Sequence, residues 1–217
     1  MDRRTTQRAS PRRPHRGTGQ AAAPLGAALL VLALVGGLRG GPAVFLSHVK
    51  LPRVSDYEVH QHLHKLFDSE QRQFLFRRMS PEDYLVLSVI KPHHPAKPLT
   101  LDGIETGRPL SFAADLVIQK SSRRYKSGKE DITDRFGRRD WLKRQLGDAA
   151  SLRFVRFEDD WIRLKSGMRR LLVQTTGVIE IHDRARFATL LQFGIGRNKA
   201  FGAGLIYLPE IMPWPLA

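Results

Sequence analysis

Gly194-Ile195-Gly196-Arg197-Asn198-Lys199-Ala200-Phe201-Gly202-Ala203-Gly204-Leu205 follows an amphipathic segment, 184–193, and precedes an apolar run, 205–208. The physical reading is a helix end, a tight glycine loop carrying two cations, and then a strand. Glycine adopts positive φ and lets backbone N–H groups approach a ligand closely, which loops that cradle phosphate require. The loop comes after a helix rather than before one, and its spacing is not that of a Walker loop, which argues against a nucleotide P-loop. Arg197 and Lys199 beside the glycines suit a polyanion backbone. A plain helix C-cap followed by a turn accounts for the glycines equally well.

Working back from this loop, the chain reads as strands and helices in alternation. The stretch 44–51 (VFLSHVKL) alternates apolar and polar residues, the signature of a strand. Ser55 or Asp56 caps a helix over 57–67 with Val59, Leu63, Leu66 and Phe67 on one face. Two strands, 74–77 and 84–90, flank the turn Ser80-Pro81-Glu82-Asp83. The proline-rich 93–98 reads as a loop and 99–106 as a short closing strand. The second half repeats the plan: a strand at 110–119, a basic loop at 120–129, and a helix at 138–146. In that helix Trp141, Leu142 and Leu146 point inward, and Arg138, Arg139, Lys143 and Arg144 largely outward. Strands at 152–157 and 171–181 flank a basic turn, and a last helix (184–193) and strand (204–208) follow. The expected fold class is α+β, two tandem ferredoxin-like β-α-β-β-α-β domains, at 44–108 and 109–217.

Charge narrows the function. Lys and Arg number 36 against 21 Asp and Glu, a formal +15. Residues 1–43 hold seven of the cations and one acid, so 44–217 still carry 29 against 20, or +9. Such an excess points to nucleic acid or an anionic membrane surface. No cysteine is present, which excludes disulfides and thiolate metal sites. Residues 1–43 stand apart: an Arg- and Pro-rich start precedes an Ala/Leu/Gly/Val run at 21–38. A basic segment before an apolar run is the pattern of a targeting segment or anchor. The run is glycine-rich and barely long enough to span, so the expectation is a disordered arm or a start-site artefact, with Val44 where the folded part opens.

The most unusual side chains lie in Tyr57-Glu58-Val59-His60-Gln61-His62-Leu63-His64. At helical spacing Tyr57, His60 and His64 form a stripe beside the apolar one, and His62 points elsewhere. A histidine titrates near neutrality and passes protons, and a tyrosine one turn away can donate a hydrogen bond or orient it. That pair suits RNA cleavage, in which a base takes the 2′-OH proton, the oxygen attacks the adjacent phosphate, and an acid protonates the leaving 5′-oxygen. Three solvated histidines on a helix surface are the bland alternative. His60 and His64 at i, i+4 could also hold a metal, but no carboxylate completes an H-E-x-x-H motif. Neither metal nor cofactor is expected.

Candidate phosphate contacts fall in three groups: Arg123, Arg124 and Lys126; Arg138, Arg139, Lys143 and Arg144; and Arg163, Lys165, Arg169 and Arg170. Each alone is compatible with a solvated face. Together with Gly194, Gly196, Arg197, Lys199, Gly202 and Gly204 they make a track able to grip an RNA stem through its backbone, with salt-dependent binding.

These residues resemble the CasE (Cse3) family of CRISPR-associated endoribonucleases. The likeness rests on the strand 44–49, Tyr57-x-x-His60-Gln61-x-Leu63-x-x-Leu66-Phe67, Trp141-Leu142-x-x-Gln145-Leu146-Gly147, Lys165-Ser166-Gly167, Gly177-Val178-Ile179-x-Ile181 and the glycine-rich ending. It covers 44 to about 209 and none of 1–43. It implies two tandem ferredoxin-like (RRM-like) domains and metal-independent cleavage of a CRISPR repeat at the base of its hairpin. The product would stay bound and enter Cascade with the other subunits, in the cytoplasm and with no membrane contact by 44–217. By position, His60 is implied as general acid/base and Tyr57 as its partner, with Lys165-Ser166-Gly167 and nearby arginines as stem-binding elements. A non-catalytic RNA-binding subunit of the same assembly and a membrane-tethered basic protein are the alternatives.

Overall fold

The computed structural model describes residues 44–67, 73–99, 104–124, 128–163 and 169–214, all within one compact unit, Pro42–Ala217. The arm 1–43, Lys126, Lys165 with its Ser166-Gly167 turn, and the side chain of Arg163 lie outside what is described.

The first sheet has four antiparallel strands: β1 (Val44–Lys50), β2 (Phe74–Arg78), β3 (Asp83–Ser88) and β4 (Lys97–Leu99), in the order β2-β3-β1-β4. β1 sits inside the sheet because both of its edges are paired, through Ser47↔Val86 on one side and Phe45↔Pro98 on the other. Helix α1 (Asp56–His64) starts where Ser55 closes a capping box with Glu58, whose carboxylate accepts the Ser55 N–H at 2.9 Å. It buries Val59 and Leu63 against Val49, Phe74, Phe76 and Val86 on one face of the sheet. Each of those two side chains contributes about 1.5–3 kcal/mol by leaving water. The helix is shorter than its apolar stripe, and Phe67 reaches the core from a turn beyond it.

The closing strand falls at 97–99 rather than 99–106. Pro98 is tolerated because β4 is an edge strand, with no ladder partner beyond it among the described residues. The prolines here therefore hold an edge strand where a loop was expected.

The second sheet is β5 (Pro109–Leu116), β9 (Arg169–Ile181) and β8 (Ala150–Arg163), antiparallel in the order β5-β9-β8, with a small hairpin β6 (Gln119–Ser121) and β7 (Lys129–Asp131) beside it. β8 runs six residues past the expected 152–157. Pairing with β9 as far as Arg163↔Arg169 overrides the poor strand propensity of Glu158-Asp159-Asp160. Helices α2 (Arg135–Leu146) and α3 (Arg184–Phe193) are capped by Asp134 and Asp183. They bury Trp141, Leu142, Phe187 and Leu191 in a core that also takes Leu46, Leu75, Leu85 and Leu87 from the far face of the first sheet. The two sheets thus share one core.

Two expectations are corrected here. Arg138 does not point outward: it is 5% exposed, donates from Nε to the Ile132 carbonyl at 2.8 Å, and pairs with Asp159 at 2.6 Å. It lies three and four residues before Trp141 and Leu142, on the inward face, and bolts α2 to β8. The last strand, expected over 204–208, is a single bridge, Ala113↔Tyr207, with backbone hydrogen bonds of 2.9 and 2.8 Å. Gly204 at φ +94° precedes it and Pro209 follows it, so pairing cannot extend.

Candidate nucleic-acid active site

The glycine loop is held by its own backbone. Gly194, at φ +67°, ends α3 with its N–H on the Leu190 carbonyl. Ile195 donates to Gly204 at 2.9 Å, and Gly204 donates to Asp115 at the end of β5 at 2.7 Å. A β-carbon at Gly204 would stand 2.4 Å from the Ile195 carbonyl oxygen, and one at Gly194 2.8 Å from Leu75. Gly196 and Gly202 lie against Trp141 and Phe76. The glycines are required by close protein packing, and Gly202 and Gly204 are buried. Lys199 turns back to donate to the carbonyls of Phe193 at 2.6 Å and Gly194 at 3.0 Å, capping the carbonyl end of α3.

What the loop presents is its short 3-10 turn, Lys199–Phe201, which packs against α1. There the half-buried His60 ring lies 6.3 Å from Phe201, 6.5 Å from Phe74 and 4.7 Å from His64, edge-on to the last. Tyr57, one turn earlier, accepts a hydrogen bond from Gln61 at 3.3 Å on its hydroxyl. His60 and Phe201 are therefore brought together from the two ends of the described chain, with Tyr57 one turn before His60 on α1. Among the described residues no group of three or more His, Asp or Glu side chains is arranged to hold a metal ion.

The other candidate cations occupy separate elements. Arg123 and Arg124 are exposed after β6; Arg139, Lys143 and Arg144 line the open face of α2; Arg169 is exposed and Arg170 half-buried where β9 begins. Arg197 is exposed on the glycine loop. Arg138, fixed in its internal pairs, is withdrawn from that set.

Composition and motif reading missed a cleft of about 610 Å³ beside α1, walled by Val59 and Phe201 together with Arg53, Arg78, Asp115 and Trp161. On its wall Arg77 of β2 reaches across to Asp115 of β5, with nitrogen–oxygen distances of 3.2 and 3.3 Å. Burial pushes the Asp115 carboxyl up from its ordinary value, against the pull of Arg77. Arg78 pairs with Asp56 and Arg53 with Glu82. Trp161 is 51% exposed, and its ring carries the Arg169 guanidinium 5.3 Å from its centre, on the face of the β8–β9 hairpin opposite Asp160 and Leu172.

A family model, described as CRISPR associated protein, matches residues 47–209, and the chain belongs to the CRISPR-associated protein family. This bears out the family expected from the Tyr57–His60 helix and the glycine-rich ending. Solved structures share its fold. Cse3 of Thermus thermophilus, bound to an RNA representing a pre-cleavage complex, superposes with a TM-score of 0.67 at 22% identity, over 76% of this chain and 98% of that one. Cas6e of Escherichia coli K-12 gives 0.61 at 24%, with the same coverage. A chain of a CRISPR RNA-guided surveillance complex gives 0.58 at 19%, again over 76% and 98%. No curated protein sequence shows a significant match. Among the described residues no helix is long and apolar enough to cross a membrane.

Proposed function

We propose that this protein is a metal-independent endoribonuclease that binds the hairpin of a CRISPR repeat, cuts the precursor transcript beside it, and keeps the product as a subunit of Cascade in the cytoplasm. The observation that carries this reading is the seating of His60, with Tyr57 one turn before it, against the Lys199–Phe201 turn. The family supplies the CRISPR context. The 2′-oxygen next to the scissile phosphate loses its proton to a base, forms the new P–O bond, and the 5′-oxygen leaves with a proton from an acid. The products are a 2′,3′-cyclic phosphate and a 5′-hydroxyl. His60 is the proton-transfer group, held half-buried where neighbouring rings fix its orientation, and Tyr57 orients or stabilises the reacting groups. Arg123, Arg124, Arg139, Lys143, Arg169 and Arg170 bind the stem through phosphates, with Lys126, Arg163 and Lys165 assigned to the same track by sequence.

The architecture beneath this reading is two tandem ferredoxin-like domains meeting near residue 108. The order β2-β3-β1-β4 in the first half supports it, as does the matching order formed in the second by β8, β9, β5 and the Tyr207 bridge.

The test is cleavage of a labelled repeat hairpin in excess EDTA, beside the same RNA carrying 2′-deoxyribose at the scissile nucleotide. Cutting in EDTA that the deoxy substitution abolishes is expected. His60→Ala should lose at least 100-fold in rate while still binding the hairpin. Wild-type cleavage by that variant removes His60 from the mechanism. Tight binding without any cutting by the unmodified protein would make it a non-catalytic RNA-binding subunit.

A further inference from the structure

We infer that His64 is the second proton-transfer group of the cleavage site, the general acid that protonates the departing 5′-oxygen while His60 takes the 2′-OH proton; this rests on the endoribonuclease reading above. The two residues lie one helical turn apart on α1, so their side chains share a face. Their rings meet edge to face with centres 4.7 Å apart. Both are half-buried and keep part of their surface open. Phe74 of β2 stands beside both, 5.3 Å from the His64 ring and 6.5 Å from the His60 ring.

The reaction needs two proton carriers in opposite states at one phosphorus, and imidazole is the side chain that serves in either state near neutral pH. A carrier nitrogen works at about 2.6–3.2 Å from its oxygen. The attacking and leaving oxygens flank a single phosphorus, so two rings with centres 4.7 Å apart can serve both. The 2′-oxygen gives its proton to neutral His60 and forms the new P–O bond. The bond from phosphorus to the 5′-oxygen breaks, and that oxygen takes the proton of the His64 imidazolium. The pair ends with His60 charged and His64 neutral, and exchange with solvent resets both.

The other polar groups near the pair are engaged elsewhere. The Lys199 ammonium is turned to the carbonyls of Phe193 and Gly194. Glu58 is held in the capping box with Ser55, and His62 faces the Glu58 carbonyl at 3.3 Å. Tyr57 accepts from Gln61 on its hydroxyl, and Lys65 is exposed beyond the helix. The division of roles follows position on α1. His64 is its last residue, where the carbonyl end of the helix dipole suits a cation. His60 lies a turn inside, between the rings of Phe74 and Phe201.

The experiment measures single-turnover cleavage of a labelled repeat hairpin in EDTA by the full chain and its variants. His64→Ala and His64→Phe should each lose about 100-fold in rate while hairpin affinity stays within about threefold. The phenylalanine keeps a ring against His60 and Phe74, so its loss of rate reports the missing proton and not the packing. His62→Ala, which changes the neighbouring histidine, should cut within about twofold of the unmodified protein. A second substrate carries sulfur in place of the bridging 5′-oxygen, and a thiolate leaves without needing a proton. That substrate should bring both His64 variants to within about tenfold of the unmodified protein and leave His60→Ala slow. Full activity of His64→Phe on the oxygen substrate would make His64 a wall of the His60 site and overturn the inference. Failure of sulfur to rescue the His64 variants overturns it too, and the cleavage reading stands in both cases. An unmodified protein that cuts neither substrate removes the cleavage reading and this inference with it.

Discussion

Replacing Arg138 by alanine separates a structural arginine from its neighbour on the same helix. Arg138 is 5% exposed, and its Nε satisfies the carbonyl of Ile132, which is itself buried. Orphaning that carbonyl costs about 1–3 kcal/mol. The ion pair to Asp159 adds little, about 0–1 kcal/mol, because the carboxylate is half exposed and rehydrates once the arginine has gone. Nη2 of Arg138 is buried with no hydrogen-bond partner among the described residues, so the native side chain already carries a desolvation penalty that alanine relieves. The net loss is therefore nearer the lower end, about 2 kcal/mol once the packing of the side-chain stem is counted. For a unit of this size that lowers the melting temperature by about 4–8 °C. Arg139→Ala, on the exposed face, should leave it within about 2 °C. RNA binding should show the reverse order. Arg139→Ala weakens hairpin binding and lowers the slope of log affinity against log salt by about 1, whereas Arg138→Ala leaves the slope unchanged at temperatures where it is folded. Differential scanning fluorimetry and a salt titration of hairpin affinity read the two quantities. An Arg138→Ala protein that melts like the unmodified one but loses a unit of salt slope would mean that Arg138 leaves its internal site to meet phosphate, and the reasoning would fail.

Gly204→Ala should be among the most damaging small substitutions in the chain. It forces φ +94° on an L-residue and puts a methyl 2.4 Å from the Ile195 carbonyl oxygen, so a loss of about 3 kcal/mol or more is expected in urea unfolding, with cleavage falling as the Lys199–Phe201 turn leaves α1. Asp83 should contribute to acid sensitivity. Hydrogen bonds from Ser80 and then His48 hold its carboxyl below its ordinary value, so its stabilisation is complete above the unfolded-state value and is lost as pH falls through the lowered one. Unfolding midpoints measured from pH 6 down to 3 should show a steeper decline for the unmodified protein than for Asp83→Asn; parallel declines would remove Asp83 from the acid response.

Strand and helix existence was legible wherever a single periodicity ruled. VFLSHVKL gave β1 by alternation, and Ser55 or Asp56 as a cap gave the start of α1, which the structure assigns to Ser55. The errors in the strands share one cause: pairing partners distant in sequence overrule local preference. Pro98 belongs to a strand because β1 offers an edge, and Glu158-Asp159-Asp160 are extended because β9 is already there. Arg138 looked like surface because charge was read before position, although its offset from Trp141 and Leu142 marked the inward face. The cleft was illegible for the same reason, since Arg77, Asp115 and Asp160 come together only when the two sheets are joined.

The glycine loop shows why site and fold could be read from one stretch yet assigned different physics. Its spacing suggested backbone N–H groups turned toward phosphate. In the structure four of those N–H groups are spent on the protein: Gly194 on Leu190, Ile195 on Gly204, Phe201 on Asn198, and Gly204 on Asp115. The Lys199 ammonium is likewise turned to the α3 carbonyls. A loop so committed to internal bonds is a poor ligand cradle and a good clamp. It ties the end of α3 to β5 and sets Phe201 against His60, so the orientation of the proposed catalytic histidine depends on glycines that need not touch RNA at all. Asp115 accepts the loop's N–H on its carbonyl and the Arg77 guanidinium on its side chain, which makes the same residue a shared fastening for the clamp, the second sheet and the wall of the cleft. Mutations in the loop should therefore reduce cleavage and stability together, whereas those on the exposed cations of α2 should reduce binding alone.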